Sequence, residues 1–202
     1  MIGDFHTHMN GNGIGNRWAN VKLICHYATE LNYDTVFLGC HDFICPEYLI
    51  KKAEEEYGLN IIKGAEITTS VGHLLALNIE YIPEDCWANN KNPLNIFKAI
   101  EFIKHQKGKA VLAHPFGDTY TVIDKLGNKT ELYDALKLID GVEIASYRTL
   151  LSNKLEQFPY IPEYNGLTLF KNSDIHPWEK GSIMHRDYYT ELDQDWFRKG
   201  ER

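Results

Sequence analysis

Short apolar runs alternate along this chain with longer stretches in which apolar residues recur every three or four positions. Most of the short runs are rich in Val, Ile, Leu and Phe, which is typical of buried strands. They are MIGDF, DTVFLG, NIIKGAEI, HLLALNIE, KAVLAH, DGVEIA and LTLFKN. An alternation of strands and helices favours a mainly parallel sheet with helices packed outside it.

The stretches between these runs predict amphipathic helices. Residues 17–32 carry apolar side chains at helical intervals, at Val21, Ile24, Cys25, Ala28 and Leu31. A second helix is predicted over residues 46–57, which begin with a proline and precede Gly58, and a third over residues 93–107, which stop at Gly108. Two further helices are predicted over residues 129–138 and 150–158.

Two segments depart from this alternation. The run EITTSVGHLLALNIE leaves no room for a helix, so it predicts a hairpin that turns at Val71–Gly72. Residues 180–202 are polar and aromatic, and we expect an edge strand near RDYYTEL and a short last helix there. The whole chain, residues 1–202, is predicted to form one domain with residues 181–202 as a C-terminal tail.

Composition narrows the class of protein. The chain has 202 residues, of which 44% are hydrophobic, so it can build one sizeable core. Its formal net charge of −7 disfavours a nucleic acid duplex as partner, because a phosphate backbone attracts a basic face. No apolar run approaches the roughly 20 residues that cross a bilayer, and the N-terminus does not resemble a signal peptide. We therefore expect a cytoplasmic protein with no membrane partner, whose four cysteines stay reduced.

Polar side chains that can bind metals follow nearly every predicted strand. His6 and His8 end the first strand, and residues i and i+2 of a strand point to the same side. The other strand ends carry Cys40-His41-Asp42, Glu66, His114-Pro115, Glu143 with Arg148, and Ser173-Asp174-Ile175-His176. Active sites of barrels and open parallel sheets form at the carboxyl ends of the strands. We therefore expect one cluster at that edge, made of His6, His8, Glu66, His114, Asp174 and His176.

The types of side chain in this cluster indicate a class of metal. Imidazoles and carboxylates without clustered thiolates suit Zn, Mn or Fe better than Ca or Mg. Six side chains exceed what one tetrahedral ion requires, so two or three ions that share a carboxylate are expected. Centres of this kind hydrolyse phosphoesters, because one ion activates water while another neutralises the phosphoryl oxygens.

Taken in order, the same segments resemble the motifs of the PHP superfamily, named for polymerase and histidinol phosphatase domains. DFHTH resembles its Asp-x-His-x-His motif, FLGCHDF its second motif, and KGAEITT with HLLALNI its Gly-x-Glu segment and the strand after it. AHPF resembles the third motif and NSDIHPWEKG the fourth. The resemblance covers the chain from Asp4 to about Gly181. It implies an α/β fold, a distorted (β/α)7 barrel with the metal site at the C-terminal ends of the strands.

The resemblance also implies a role for each matching residue. His6, His8, Glu66 and Asp174 would hold a first ion, and Glu66 would bridge to a second ion. The second ion would also be bound by His114, with His73 as a further ligand, while His41 and His176 would face a third ion. The chain departs from the family pattern at Gly13 and Ile14, where a ligand for the third ion usually stands, and at Cys40, which replaces the aspartate of the second motif.

The expected activity is hydrolysis of a phosphomonoester, with a small phosphorylated metabolite as substrate. Asp174 or His176 would transfer protons. Arg148, which lies just beyond the GVEIASY strand, would balance charge on phosphorus, and Arg17 is the second candidate for binding the substrate. The segment NGNGIGN fits no phosphate-loop pattern and is interpreted as an active-site loop.

Two other functions stay open at this point. Amidohydrolases also combine His-x-His with an aspartate at a strand end of a barrel. A PHP-like domain that has lost activity and serves a structural role is the other alternative, because the usual third-ion ligand is absent from positions 13 and 14.

Overall fold

Alternating strands and helices dominate the computed structural model, which describes residues 1–9, 17–70, 72–87, 92–115, 134–146 and 166–198. Within these residues there are nine strands: β1 (Ile2–Asp4), β2 (Thr35–Cys40), β3 (Phe43–Ile44), β4 (Asn60–Thr69), β5 (Gly72–Leu77), β6 (Lys109–Leu112), β7 (Gly141–Ala145), β8 (Thr168–Lys171) and β9 (Thr190–Glu191). The helices are α1 (Arg17–Glu30), α2 (Glu47–Tyr57) and α3 (Ile96–His105), with a short 3₁₀ helix at Glu84–Cys86. Every predicted strand is present.

The strands form one sheet in the order β8-β7-β6-β5-β4-β2-β1-β9, with β3 paired to β2. Strands β1, β2 and β4 are parallel neighbours, and so are β6, β7 and β8. Strand β5 is antiparallel to both β4 and β6, so these two groups run in the same direction. The carboxyl ends of six strands therefore meet at one edge. This order confirms the hairpin between β4 and β5.

The segment after β8 returns to β1 and nearly closes the sheet into a barrel. The backbone N–H of Phe5 donates to Asn172 Oδ1 over 2.9 Å, and the N–H of His8 donates to the carbonyl of Ile175 over 3.0 Å. Thr7 and Ile175 form a parallel bridge. This seam confirms the expected distorted barrel. It also brings the first and the fourth motif side by side.

Helix ends follow the predicted chemistry. Helix α2 begins after Pro46, and Gly58 ends it in a left-handed conformation with φ of 68°. Helix α3 starts later than predicted, because the side chain of Asn95 caps it by accepting the N–H groups of Phe97 and Lys98. Helix α1 buries Val21, Ile24, Cys25 and Ala28, as its spacing predicts.

The remaining expectations fare unevenly. The tail supplies an edge strand as predicted, since β9 pairs with β1. The prediction of a short last helix is wrong as far as residue 198, because residues 193–198 form turns instead. Of the helix predicted over 129–138, residues 134–136 are helical. The helix predicted over 150–158 lies outside the described residues.

A group of apolar side chains fills the barrel below the strand ends. It consists of Phe5, Phe37, Ile62, Leu75, Leu77, Val111, Ala113, Phe170 and Leu192. Alternate residues of the same strands face outward and pack against the helices, as Val36 and Leu38 of β2 do. This apolar group lies beneath the polar side chains at the carboxyl ends of the strands. Among the described residues, no helix has the length and apolar character that crossing a membrane requires.

Candidate metal centre

Four side chains from three separate parts of the chain converge on one point at the carboxyl ends of the strands. The Nε2 atoms of His6 and His8 lie 3.1 Å apart. Each lies 3.2–3.5 Å from Oε2 of Glu66 and 3.0–3.3 Å from Oδ1 of Asp174. All four side chains are buried. We call these four atoms the cage.

The spacing of the cage atoms fits a divalent cation. Ligand atoms at about 2.0–2.1 Å from a tetrahedral zinc ion lie roughly 3.3–3.4 Å from one another. Around a six-coordinate ion at about 2.1 Å, neighbouring ligands lie roughly 3.0 Å apart. Glu66 Oε2 is also a buried oxygen, and none of the imidazole nitrogens near it has hydrogen-bond geometry to it within the described part of the chain. The donor set and this oxygen both suit a cation at the centre.

The other carboxylate oxygen of Glu66 faces a second group of imidazoles. Oε1 lies 2.8 Å from Nδ1 of His73 and 2.9 Å from Nε2 of His114. Oε2 also lies 2.9 Å from Nδ1 of His41. The carboxylate therefore stands between two sets of nitrogen atoms. This is the arrangement that a bridging ligand between two ions requires.

A third set of imidazoles lies toward solvent. Ring nitrogens of His8, His41 and His176 lie within 4.8 Å of one another. The Nδ1 atom of His176 lies 2.8 Å from the backbone carbonyl of Asp174, so a neutral ring donates its Nδ1–H to that oxygen. The side chain of His41 is 38% exposed, so this set marks an open side of the cluster.

Local backbone geometry aims several of these side chains. His114 and Asp174 have positive φ angles of 23° and 53°, which interrupt the strand alternation and turn each side chain toward the cluster. Asp42 anchors the turn after His41, because its carboxylate accepts the N–H and the hydroxyl of Thr68 at 2.8 and 2.6 Å. His73 lies opposite Thr68 in the β4–β5 hairpin and therefore shares the face of Glu66.

The charges in the cluster compensate one another. Burial raises the pKa of Glu66 and of Asp174, but nearby imidazoles outweigh it and hold both pKa values below the usual range. Burial lowers the pKa of His6, and Asp174, Glu143 and Glu66 more than reverse that effect. The carboxylates are therefore ionised and act as electron-pair donors. Burial raises the pKa of Asp4 to about 7, even though Ser173 hydrogen bonds oppose the shift.

The structure brings together all eight residues that the sequence predicts as metal ligands. They are His6, His8, His41, Glu66, His73, His114, Asp174 and His176. Arg17 begins α1, and its guanidinium stacks 4.9 Å above the ring of Phe43, two residues after His41. Arg148 lies outside the described residues, as do positions 13 and 14 and the segment NGNGIGN.

Two residues beside the cluster were missed in the sequence. Asn172 accepts the backbone N–H of Phe5 at the junction of the first and last parts of the barrel. In the sequence, only its position in the NSDIH motif pointed to a role for it. Trp178 lies at the rim with its ring centroid 5.1 Å from that of His176, and it is 44% exposed. Pro177 precedes it in a turn closed by the N–H of Glu179, which donates to the carbonyl of His176 over 2.8 Å. This turn fixes the indole beside the open side.

Similar proteins share this architecture. No family model matches the chain. The uncharacterized protein MJ1587 of Methanocaldococcus jannaschii is 29% identical over 153 residues, 71% of this chain and 81% of that protein. A structure from Bifidobacterium adolescentis, assigned as a metal-dependent phosphoesterase, matches 97% of this chain and 94% of its own, with a TM-score of 0.71 and 17% identity.

A two-domain protein of Bacteroides vulgatus contains a domain assigned as a PHP-like metal-dependent phosphoesterase. It matches 87% of this chain with a TM-score of 0.58 and 23% identity. The chain spans about half, 52%, of that protein. These likenesses show that the chain has the PHP-like fold, as its motifs predict.

Two further solved structures with this fold are named as other classes of enzyme. One is an amidohydrolase from Chromobacterium violaceum with bound sulfate, with a TM-score of 0.63, 16% identity and coverage of 91% of this chain and 90% of its own. The other is Endonuclease Q bound to a 27-mer duplex with an abasic lesion, with a TM-score of 0.56, 16% identity and coverage of 87% and 49%. The fold therefore leaves the substrate open, and the absence of a nucleic acid partner stays a prediction.

Proposed function

We propose that this PHP-like chain is a metal-dependent hydrolase that cleaves phosphomonoesters. The observation that carries the proposal is Glu66, whose two oxygens face separate sets of imidazole nitrogens at 2.8–3.5 Å. His6, His8, Glu66 and Asp174 would hold a first divalent ion, and Glu66, His73 and His114 a second. His41 and His176 would hold a third. Zn, Mn or Fe suits this set of nitrogen and carboxylate ligands.

The residues of the chain supply positioning and proton transfer. When bound, divalent cations make water a stronger nucleophile at neutral pH and neutralise charge on a phosphoryl group. When no ion occupies the third position, His176 is better suited than Asp174 to proton transfer, because Asp174 Oδ1 belongs to the cage while His176 lies toward the open side. Arg17 would approach the phosphoryl group from the start of α1, and Arg148 is the other candidate for that role.

The experiment combines metal analysis with a panel of substrates. Protein purified without chelator should contain about one or more Zn, Mn or Fe ions per chain. It should hydrolyse p-nitrophenyl phosphate with added Mn or Zn, and faster than it hydrolyses amides, lactones or a DNA duplex with an abasic site. Faster cleavage of an amide or lactone would establish the amidohydrolase alternative, and faster cleavage of the duplex a nuclease. A metal content far below one ion per chain would favour the non-catalytic role.

The rim tryptophan leads to a further expected result. Trp178→Ala should raise KM for an aryl phosphate by about tenfold and change kcat little, because the indole would stack on the leaving group before and during the reaction. Trp178→Phe should retain most of the affinity. Trp87→Ala is a matched control, since Trp87 is 55% exposed and precedes helix α3 rather than bordering the cluster. An unchanged KM for Trp178→Ala would exclude this role.

A further inference from the structure

Glu143 is a fully buried carboxylate on β7 that lies behind the cage. Its Oε1 and Oε2 atoms lie 3.1 and 3.3 Å from Nδ1 of His6. Oε2 also accepts the backbone N–H of His114 over 2.7 Å, and Oε1 accepts the side-chain N–H of Asn172 over 2.8 Å. Asn172 in turn accepts the N–H of Phe5 over 2.9 Å. One carboxylate thus connects the ends of β1, β6, β7 and β8.

We propose that Glu143 is a positioning residue that fixes the tautomer and ring orientation of His6 for metal binding. This inference rests on the proposed function, because it assigns Glu143 a role in the proposed metal centre. An ionised carboxylate can only accept hydrogen bonds, so the proton of a neutral His6 ring lies on Nδ1. The Nε2 lone pair then points into the cage, where it lies 3.1 Å from Nε2 of His8. Partners of this kind orient metal-binding imidazoles and increase their basicity.

Glu143 also supports a ligand of the second set. The hydrogen bond from the His114 backbone holds the residue at its positive φ angle of 23°, and that conformation directs the ring to Glu66 Oε1 at 2.9 Å. The same carboxylate therefore orients one imidazole on each side of Glu66. His8 differs, because its carboxylate neighbours lie at Nε2 and no carboxylate bonds its buried Nδ1 within the described part of the chain. His6 is thus the cage imidazole whose tautomer a carboxylate selects.

The charge of Glu143 matters as well as its shape. Three N–H donors, from His6, His114 and Asn172, converge on its two oxygens. Glutamine has the same size but replaces one acceptor oxygen with an NH₂ donor group, so at least one of the three donors would face another donor. If that donor is opposite His6, the proton of the ring moves to Nε2 and occupies the metal side. The Glu143→Gln variant therefore tests the tautomer with little change in volume.

The test measures zinc affinity and the state of the His6 ring. Zinc should bind the Glu143→Gln variant 10–100-fold more weakly in competition with a chromogenic chelator. In metal-free protein at a pH above the raised pKa of His6, where the ring is neutral, ¹⁵N–¹H spectra should show the His6 proton on Nδ1 in the wild type and altered in the variant, with the signal assigned by His6→Gln. Glu143→Asp, which keeps the charge, should recover part of the affinity.

Asp140→Asn is the matched control, because Asp140 accepts the N–H of Ala110 over 2.8 Å between the same two strands but lies at their other ends. Its zinc affinity should stay within about threefold of the wild type, even if both variants lose thermal stability. Wild-type zinc affinity together with an unchanged His6 signal in Glu143→Gln would overturn the inference. A wild-type protein that binds no cation would overturn the proposed function, and the His6 spectrum would still show whether Glu143 selects the tautomer.

Discussion

Glu66→Gln is expected to lower kcat for a phosphomonoester by about 10³-fold or more and to reduce the metal content of the protein. The two carboxylate oxygens of Glu66 face separate groups of imidazoles, and an amide offers one oxygen and one N–H donor in their place. One group would therefore lose its shared ligand. The change also removes a buried negative charge that compensates the histidines. Stabilisation of transition-state charge by bound metal contributes several kcal/mol, and about 1.4 kcal/mol corresponds to a tenfold change in rate.

The measurement pairs steady-state kinetics under saturating Mn or Zn with elemental analysis of the same protein. Glu80→Gln is the control, because Glu80 pairs with Lys63 and its side chain is 75% exposed. Glu66→Ala serves as a second variant that introduces no new donor. Wild-type kcat and metal content in both Glu66 variants would contradict the bridging role. If the Glu66 variants lose metal but the wild type shows no measurable activity, the bridging role of Glu66 would stand and the hydrolase function would be excluded.

The location of the cluster could be predicted because it depends on strand direction alone. His6 and Asp174 follow strands and Glu66 lies near the end of β4, and these strands all run in the same direction. The carboxyl ends of parallel strands meet at one edge whatever the register between them. The His-x-His spacing added the expectation that His6 and His8 aim at one point, and their Nε2 atoms lie 3.1 Å apart. Periodicity was sufficient for these residues.

The contacts that His73 and His114 make with Glu66 depend on the strand register and on the backbone conformation, which a single sequence does not contain. His73 reaches Glu66 because the hairpin register sets it opposite Thr68, and a shift of one residue would turn it to the outer face. His114 follows the inward-facing Ala113 and reaches the cluster because its backbone leaves the strand conformation. Glu143 could be recognised as a polar strand end, but its contact with His6 spans 137 positions of the chain.

The seam of the barrel explains why the tail was hard to predict. Thr190 bonds Lys171 and β9 pairs with β1, so a two-residue strand covers the junction between the first and last long strands. Such a short strand has no periodicity of its own. It is held by backbone pairing with Ile2 and Gly3 of β1 and by the bonds between the Thr190 hydroxyl and the backbone of Lys171. Long-range pairing, rather than local propensity, decides the structure there.

Phe37→Ala should lower the free energy of unfolding by about 3–5 kcal/mol, the second large effect that we expect. Phe37 is fully buried inside the barrel, beneath the candidate metal centre, and belongs to the group that contains Phe5 and Phe170. Its ring fills the space above two glycines: a Cβ added at Gly39 would lie 2.4 Å from the ring, and one at Gly64 would lie 2.8 Å from it. For a chain of this length, such a loss lowers the Tm by about 10 °C. Urea denaturation of metal-free protein measures the effect, with Phe37→Leu as the milder variant.

Gly64→Ala separates the two reasons why the barrel interior accepts no change at this point. The added Cβ would meet the ring of Phe37, which can move, and the backbone carbonyl of Ala76 at 2.0 Å, which is fixed by the β4–β5 hairpin. Combining Gly64→Ala with Phe37→Ala removes the first contact but not the second. The double variant should therefore be less stable than Phe37→Ala alone. If the added methyl group instead restored stability by filling the cavity, the backbone contact would not be what requires glycine, and the ring of Phe37 would be the sole constraint.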